Sequence, residues 1–486
     1  MPAETASPPR TAPAVTSAFV VVANRLPVDR VVDDDGSVSW RTSPGGLVTA
    51  LEPVMRRSHG AWVGWHGAAD ETLDTFEDDG LTLVPVPLSA GEVEEYYEGF
   101  SNGTLWPLYH DAVAPPAYHR EWWDSYVAVN QRFADRAAEV AEEGATVWVQ
   151  DYQLQLVPQM LRSQRPDLRI GFFLHIPFPP AELFQRLPWR RQIIEGLLGA
   201  DLVGFQLRGG AQNFLRLVRQ HVGHKSHRET VYLPDGRTVT AGAYPIAIDA
   251  AELEELARQP ETVERARQIR ADLGDPEIML LGVDRLDYTK GIVQRIRAVG
   301  ELMAEGRLDQ ANTGFIQVAT PSRERVEEYR RLRDDIDMLV GRLNGDLGTI
   351  GNPPITYLHS SFPKSEMAAL YSAADVMVVT PLRDGMNLVA KEYVACRTRG
   401  DGALVLSEFA GAAQELTQAY LVNPYDINGL KDKLMQAVQA PPRDATRRMR
   451  AMRKQVFEYD ISRWAGRFLD DLRALRPPHG KHPRPV

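Results

Sequence analysis

Short apolar runs rich in Val, Ile, Leu and Phe recur along this chain with helix-patterned stretches between them. This alternation constrains the fold more than any other feature. The first half carries such runs at 18–23 (AFVVVA), 146–150 (TVWVQ), 169–175 (RIGFFLH) and 201–206 (DLVGFQ). The second half carries them at 277–284 (EIMLLGVD), 315–319 (FIQVA), 355–358 (ITYL), 375–380 (DVMVVT) and 403–407 (ALVLS). Strands apolar on both faces belong to parallel sheets with helices packed on either side. Two such series predict an α/β protein of two Rossmann-like, doubly wound domains, and 486 residues exceed what one core organises. The joint falls at 244–249 (YPIAID), followed by a helix broken at Pro260. The domains are therefore expected over residues 17–246 and 247–456, with disordered tails at 1–16 and 477–486.

A formal net charge of -10 argues against nucleic-acid binding through a basic surface, so any anionic ligand needs a local basic site. The basic runs at 186–191 and 443–453 read as solvated helix faces. No apolar run approaches the roughly 20 residues that would span a membrane. The single cysteine, Cys396, excludes an internal disulfide and fits a reducing cytoplasm. It is expected to be a buried structural thiol in the helix continuing from Glu392.

In doubly wound sheets, ligands bind beyond the carboxyl ends of the strands. Six polar groups stand there: Arg25, Asp151, His175, Arg285, Arg323 and Asp384. Both domains contribute, which places the site in the cleft between them.

The segment 380–393 (TPLRDGMNLVAKEY) sets a strand end, an Asp-Gly turn and a helix start at 386–388 side by side. The helix N-terminus suits a diphosphate, Asp384 suits sugar hydroxyls, and Glu392, on the face of Leu388, suits a ribose diol. An ordinary strand, turn and capped helix is the competing reading. Segment 282–291 (GVDRLDYTKG) supplies Arg285 and Lys290, two cations able to neutralise a diphosphate leaving group without a metal. A solvated basic loop competes there, and Asp287 organises the turn or pairs with a cation. Gly45 and Gly46 open a helix and let backbone N–H groups approach phosphate or sugar. Segment 94–107 (EEYYEGFSNGTLWP) reads as a loop carrying Tyr97 and Trp106, rings that suit sugar faces or the core. Arg25 and Arg323 suit an anion clamp contributed from opposite domains. Asp151 and His175 suit the reacting sugars, and His175 equally suits a core position. There is no G-x-G-x-x-G, P-loop, zinc spacing or Ser-His-Asp order, and no cofactor or metal is expected.

In order, NRLPV, PGGL, YYEGFSNGTLWP, GFFLHIPFP, VDRLDYTKG and TPLRDGMNLVAKEY resemble the α,α-trehalose-phosphate synthases, retaining glycosyltransferases of GT-B architecture. The resemblance runs from about Phe19 to Leu475. It implies glucose transfer from a nucleotide-diphosphate glucose (UDP-glucose, with ADP- and GDP-glucose as alternatives) to glucose 6-phosphate, giving α,α-trehalose 6-phosphate. A C-terminal helix at 457–476 is implied to cross back onto the first domain. On the acceptor side the resemblance puts Arg25, Tyr97, Trp106, Asp151 and Arg323, with both arginines and Tyr97 around the phosphate. On the donor side it puts Gly45, Gly46, Arg285, Lys290, Phe362, Asp384, Gly385, Met386, Asn387, Leu388, Val389 and Glu392. Asp151, His175, Arg285, Lys290 and Asp384 are the implied catalytic set, His175 contacting donor glucose. No protein nucleophile is implied, because the leaving phosphate helps to deprotonate the acceptor.

The chain departs from the family's His-Asp-Tyr-His block with Gln150 and Gln153, which bears on local hydrogen bonding and donor preference. Expected partners are the two small-molecule substrates, with no nucleic acid and no membrane; a homo-oligomer, dimer or tetramer, is allowed, in the cytoplasm. Two rivals make different demands. A transferase with another acceptor, a glucan or fructose phosphate, predicts no phosphate clamp at Arg25 and Arg323. A non-catalytic sugar-phosphate-sensing subunit predicts lost donor groups, whereas Arg285, Lys290, Asp384 and Glu392 are all present.

Overall fold

The computed structural model describes residues 16–32, 38–42, 48, 51, 55, 60–78 and 80–475. Apart from residue 16, the expected tails lie outside these residues, as do Gly45 and Gly46.

Eighteen strands are described. They are β1 (Ser17–Arg25), β2 (Val28–Val32), β3 (Val38–Thr42), β4 (Ala61–Trp65), β5 (Phe76–Asp78), β6 (Leu81–Pro85), β7 (Ala141–Gln150), β8 (Arg169–Leu174) and β9 (Leu202–Phe205). Then follow β10 (Ser226–His227), β11 (Thr230–Tyr232), β12 (Thr238–Ala243), β13 (Ile278–Arg285), β14 (Thr313–Thr320), β15 (Thr356–Leu358), β16 (Val376–Val379), β17 (Ala403–Ser407) and β18 (Tyr420–Val422). The first sheet runs β10-β11-β12-β9-β8-β7-β1-β4-β6-β5 and is parallel from β12 to β6. The second runs β15-β14-β13-β16-β17-β18 and is parallel throughout. Among the parallel strands of each sheet the order reverses once, between β1 and β7 and between β13 and β16. Such switch points leave a crevice beyond the strand ends.

Every strand expected from the sequence is present. The apolar runs at β4, β6 and β18 were not legible, being short and interrupted by Gly or Pro or lying near the sheet edge. Segment 94–107 is helix rather than loop. It lies within a helical stretch whose turns over Val93–Leu105 are wide, ending with the Trp106 N–H donating to the Ser101 carbonyl five residues back. Gly99 and Gly103 let the Trp122 ring lie close against this helix, where a Cβ would meet it at 2.6 and 3.2 Å. Of the two basic runs, 443–453 is helical (Pro442–Glu458), but most of 186–191 is a turn before the helix Arg190–Leu197.

The chain passes from the first sheet to the second through 244–249, where Asp249 caps the helix Ala250–Arg258. It returns at the helix Ile461–Ala474, whose first N–H donates to the Ile248 carbonyl at 3.1 Å, so the two crossings lie side by side. This last helix buries Trp464, Phe468 and Leu472 against the first sheet. Gly171 on β8 and Gly204 on β9 leave a furrow in which any Cβ would approach Phe468 to 2.8 and 2.7 Å. Phe468 also stacks on Trp148 of β7, centroids 4.5 Å apart. The architecture is GT-B. Cys396 is buried in the helix Leu388–Cys396, and burial pushes its thiol up to about 12. No helix among the described residues is long and apolar enough to cross a membrane.

Candidate active site

A cavity of about 250 Å³ opens where the carboxyl ends of the two sheets face each other. Five of the six strand-end groups line it: Asp151 and His175 from the first sheet, and Arg285, Arg323 and Asp384 from the second. Tyr97, Trp106 and Lys290 join them. Arg25 does not line it. Its guanidinium carbon stands 5.0 Å from the Trp65 ring centre, and Trp65 in turn contacts Tyr97 on the cavity wall.

The second sheet contributes charge. Lys290 sits in a short turn after β13, and its Nζ donates to Asp384 Oδ2 at 2.6 Å. Burial alone would raise the Asp384 pKa. Lys290 reverses that, with His110 and Asn387 adding, and keeps the carboxyl below its usual value. Asn387 caps the helix Leu388–Cys396 by accepting from the Ala390 N–H, while its amide donates to Asp384 Oδ2 at 3.2 Å. That helix therefore begins at the position expected from the sequence.

Arg323 is the most constrained cation. Its guanidinium carbon lies 3.9 Å from the Trp106 ring centre, Nη2 donates to the Tyr152 hydroxyl at 3.0 Å, and Nη1 donates to Tyr329 and Asp287. Asp287 also accepts from the Thr289 N–H, so it both organises its turn and pairs with a cation, one from the loop after β14. Burial would raise its pKa, yet Arg323, Arg285 and Lys290 hold it at about 2. Arg285 stands 5.4 Å from the same Trp106 ring.

The first sheet contributes less polar surroundings. Burial pushes Asp151 up to about 6, against the N–H groups of His175 and Tyr152 and the charges of Arg285 and Arg323. His175 is lowered by burial to about 3 and is neutral. With the Gln150 amide oxygen as acceptor at 3.0 Å, His175 donates from Nε2 and leaves Nδ1 as an acceptor. Asp151, Arg323 and Asn387 are three of the eight non-glycine residues with positive φ among the described residues, at 73, 49 and 85°. Strain of this kind concentrates where side chains must be aimed.

The other expected donor residues described lie along the same helix start, except Phe362, which precedes the helix Lys364–Ala373. Gly385 presses on the first sheet, where a Cβ would come within 2.4 Å of the His175 carbonyl oxygen. Met386 is buried, and Phe362, Leu388 and Val389 pack half-buried on the core. Glu392 accepts from the Tyr371 hydroxyl at 2.8 Å, and burial raises its pKa. None of these five lines the cavity, nor do Gly385 and Asn387.

Three further lining residues escaped the sequence reading, His110, Tyr152 and Ile176, and Gln153, singled out there only as a departure from the family block, lines the cavity too. His110 lies one helical turn after Trp106, so recognising that segment as helix would have found it. Burial lowers it to about 4. Tyr152 and Gln153 follow Asp151 directly, and the buried Gln153 Oε1 has no partner among the described residues.

The model of glycosyltransferase family 20 matches residues 17–474. The trehalose-6-phosphate synthase of Mycolicibacterium vanbaalenii is 60% identical over 476 residues, 95% of this chain and 97% of that protein. Among solved structures, the UDP-forming α,α-trehalose-phosphate synthase of Burkholderia xenovorans in complex with glucose-6-phosphate is similar with a TM-score of 0.86 and 35% identity, covering 94% of this chain and 100% of that one. A protein of E. coli bound with UDP-2-fluoro glucose is similar with a TM-score of 0.85 and 33% identity, over 94% and 100% of the two chains.

Proposed function

This chain belongs to glycosyltransferase family 20, and from that premise we propose that it transfers glucose from UDP-glucose to glucose 6-phosphate, forming α,α-trehalose 6-phosphate and UDP. The observation that carries the reading is the meeting of two groups from the first sheet, Asp151 and His175, with three cations and Asp384 from the second in one cavity. A phosphorylated sugar and a nucleotide diphosphate both need cations, and each finds them here.

Arg285, Lys290 and the N-terminus of the helix Leu388–Cys396 offer positive charge to the donor diphosphate, where charge develops as it leaves. Asp384, kept ionised by Lys290, accepts from donor hydroxyls, and His175 offers Nδ1 as a neutral acceptor. Glu392 is assigned to the ribose. Arg323, Tyr97 and Arg25 are assigned to the acceptor phosphate, Trp106 backing Arg323, with Asp151 near the acceptor hydroxyls. The donor C1–O bond to diphosphate breaks, and the anomeric oxygen of glucose 6-phosphate bonds to C1 on the same face. The proton of that hydroxyl passes to the departing phosphate oxygen, so the α configuration is retained without a protein nucleophile. The charges for this step come from side chains, which supports a metal-independent reaction. A single buried thiol supports a cytoplasmic location.

The test is a product assay pairing UDP-, ADP- and GDP-glucose with glucose 6-phosphate, with and without chelator. The expected result is α,α-trehalose 6-phosphate from UDP-glucose at a rate chelator leaves unchanged. Transfer only to another acceptor overturns the acceptor assignment, and loss of activity with chelator overturns metal independence.

A further inference from the structure

We propose that a second pocket behind Tyr152 binds a neutral polyhydroxylated small molecule, a sugar or polyol without phosphate, and that its occupancy is relayed to Arg323. The pocket, about 250 Å³, lies between the two halves of the molecule. The first half supplies Glu94, Glu98, Asn102 and Trp122, and the second supplies Tyr288 and Arg325. None of these residues lines the catalytic cavity.

Asn102 is 1% exposed and lines this pocket. Its Oδ1 accepts from the Tyr152 hydroxyl at 2.8 Å, while its buried Nδ2 has no acceptor among the described residues. An unmet buried donor is destabilising, so a ligand supplying an acceptor there is favoured. This requirement excludes a simple ammonium, which only donates. The walls carry four carboxylates, Glu327 and Glu328 completing the set, against the single guanidinium of Arg325, which stands 3.8 Å from Glu98. That balance disfavours a phosphate or another anion. A hydroxyl both accepts, as Asn102 requires, and donates, as the carboxylates require. The half-buried Trp122 and Tyr288 rings offer apolar faces of the kind that lie against a sugar ring.

The relay is a continuous chain of contacts. Asn102 holds the Tyr152 hydroxyl, which accepts from Arg323 Nη2 at 3.0 Å, and Arg323 lies on Trp106 at the catalytic cavity. A ligand that engages Asn102 therefore biases the position of Arg323. This relay rests on Arg323 serving the acceptor as proposed above; the binding does not.

The test is calorimetry on the full chain with the catalytic cavity filled by UDP and glucose 6-phosphate. The probes are glucose, maltose, trehalose and sorbitol, with inorganic phosphate and spermidine as contrasts. At least one neutral probe is expected to bind saturably, and neither contrast is. Glu94→Gln/Glu98→Gln is expected to weaken that binding about tenfold or more while leaving turnover without probe unchanged. The probe is also expected to shift the KM for glucose 6-phosphate in the wild type and not in the double variant. Absence of neutral-probe binding, binding indifferent to the double variant, or binding of phosphate or spermidine instead overturns the site. Binding with no change in KM overturns the relay alone.

Discussion

Lys290 and Asp384 form a 2.6 Å ion pair across the strand-order reversal of the second sheet, both side chains nearly enclosed. Such a pair ties catalysis to stability, because removing one partner leaves the other charge buried and alone. Lys290→Ala is expected to lower kcat by about 10²–10³ and to destabilise the fold by about 3–5 kcal/mol. Adding Asp384→Asn to that variant is expected to recover much of the thermal midpoint and none of the turnover. Near-normal turnover in Lys290→Ala refutes its role at the leaving group.

Arg25 stands outside the cavity lining yet reaches its wall through Trp65 and Tyr97. Arg25→Ala is expected to weaken glucose 6-phosphate binding by about tenfold or more and to leave UDP affinity unchanged, as read by calorimetry with each ligand. Unchanged acceptor affinity removes Arg25 from the phosphate clamp.

Gly385 touches the backbone of the opposite sheet at His175, and no flexible side chain lies between them to give way. Gly385→Ala is expected to force the two sheets apart and depress kcat/KM at least tenfold, with circular dichroism and thermal midpoint little altered. A fully active alanine variant means that this close approach is not needed for turnover.

Acid stability follows from three buried groups. His175 and His110, at about 3 and about 4, take up protons on unfolding because their ordinary value is 6.5. Asp151, at about 6 against an ordinary 3.8, releases one. Near pH 5 these three together bind about one more proton unfolded than folded, so they make stability rise by about 1.4 kcal/mol per pH unit. His175→Gln is expected to flatten that slope and Asp151→Asn to about double it. Denaturant titrations between pH 4.5 and 5.5 measure both, and a wild-type slope that His175→Gln leaves unchanged refutes the burial of a neutral imidazole.

The sheets were legible because their central strands are apolar on both faces, which leaves no periodicity to misread. Asp151, His175, Arg285, Arg323 and Asp384 were legible because strand ends in such sheets converge. The helix through Tyr97 and Trp106 was not, since its wide turns break the 3.6-residue apolar spacing and its glycines imitate a loop. Asp287 was read as a turn organiser or a partner for a cation, but its partner comes from the loop after β14, and no local pattern names it. Tyr152 entered the site in the same way, through tertiary contacts, whereas His110 was missed because the helix that carries it was read as a loop.

The helix that fills the furrow of Gly171 and Gly204 is the last described element of the chain. During synthesis the N-terminal half thus waits, with Trp148 uncovered, until the chain as far as Ala474 has left the ribosome. A premature stop shortly before Trp464 would damage the half of the molecule made first.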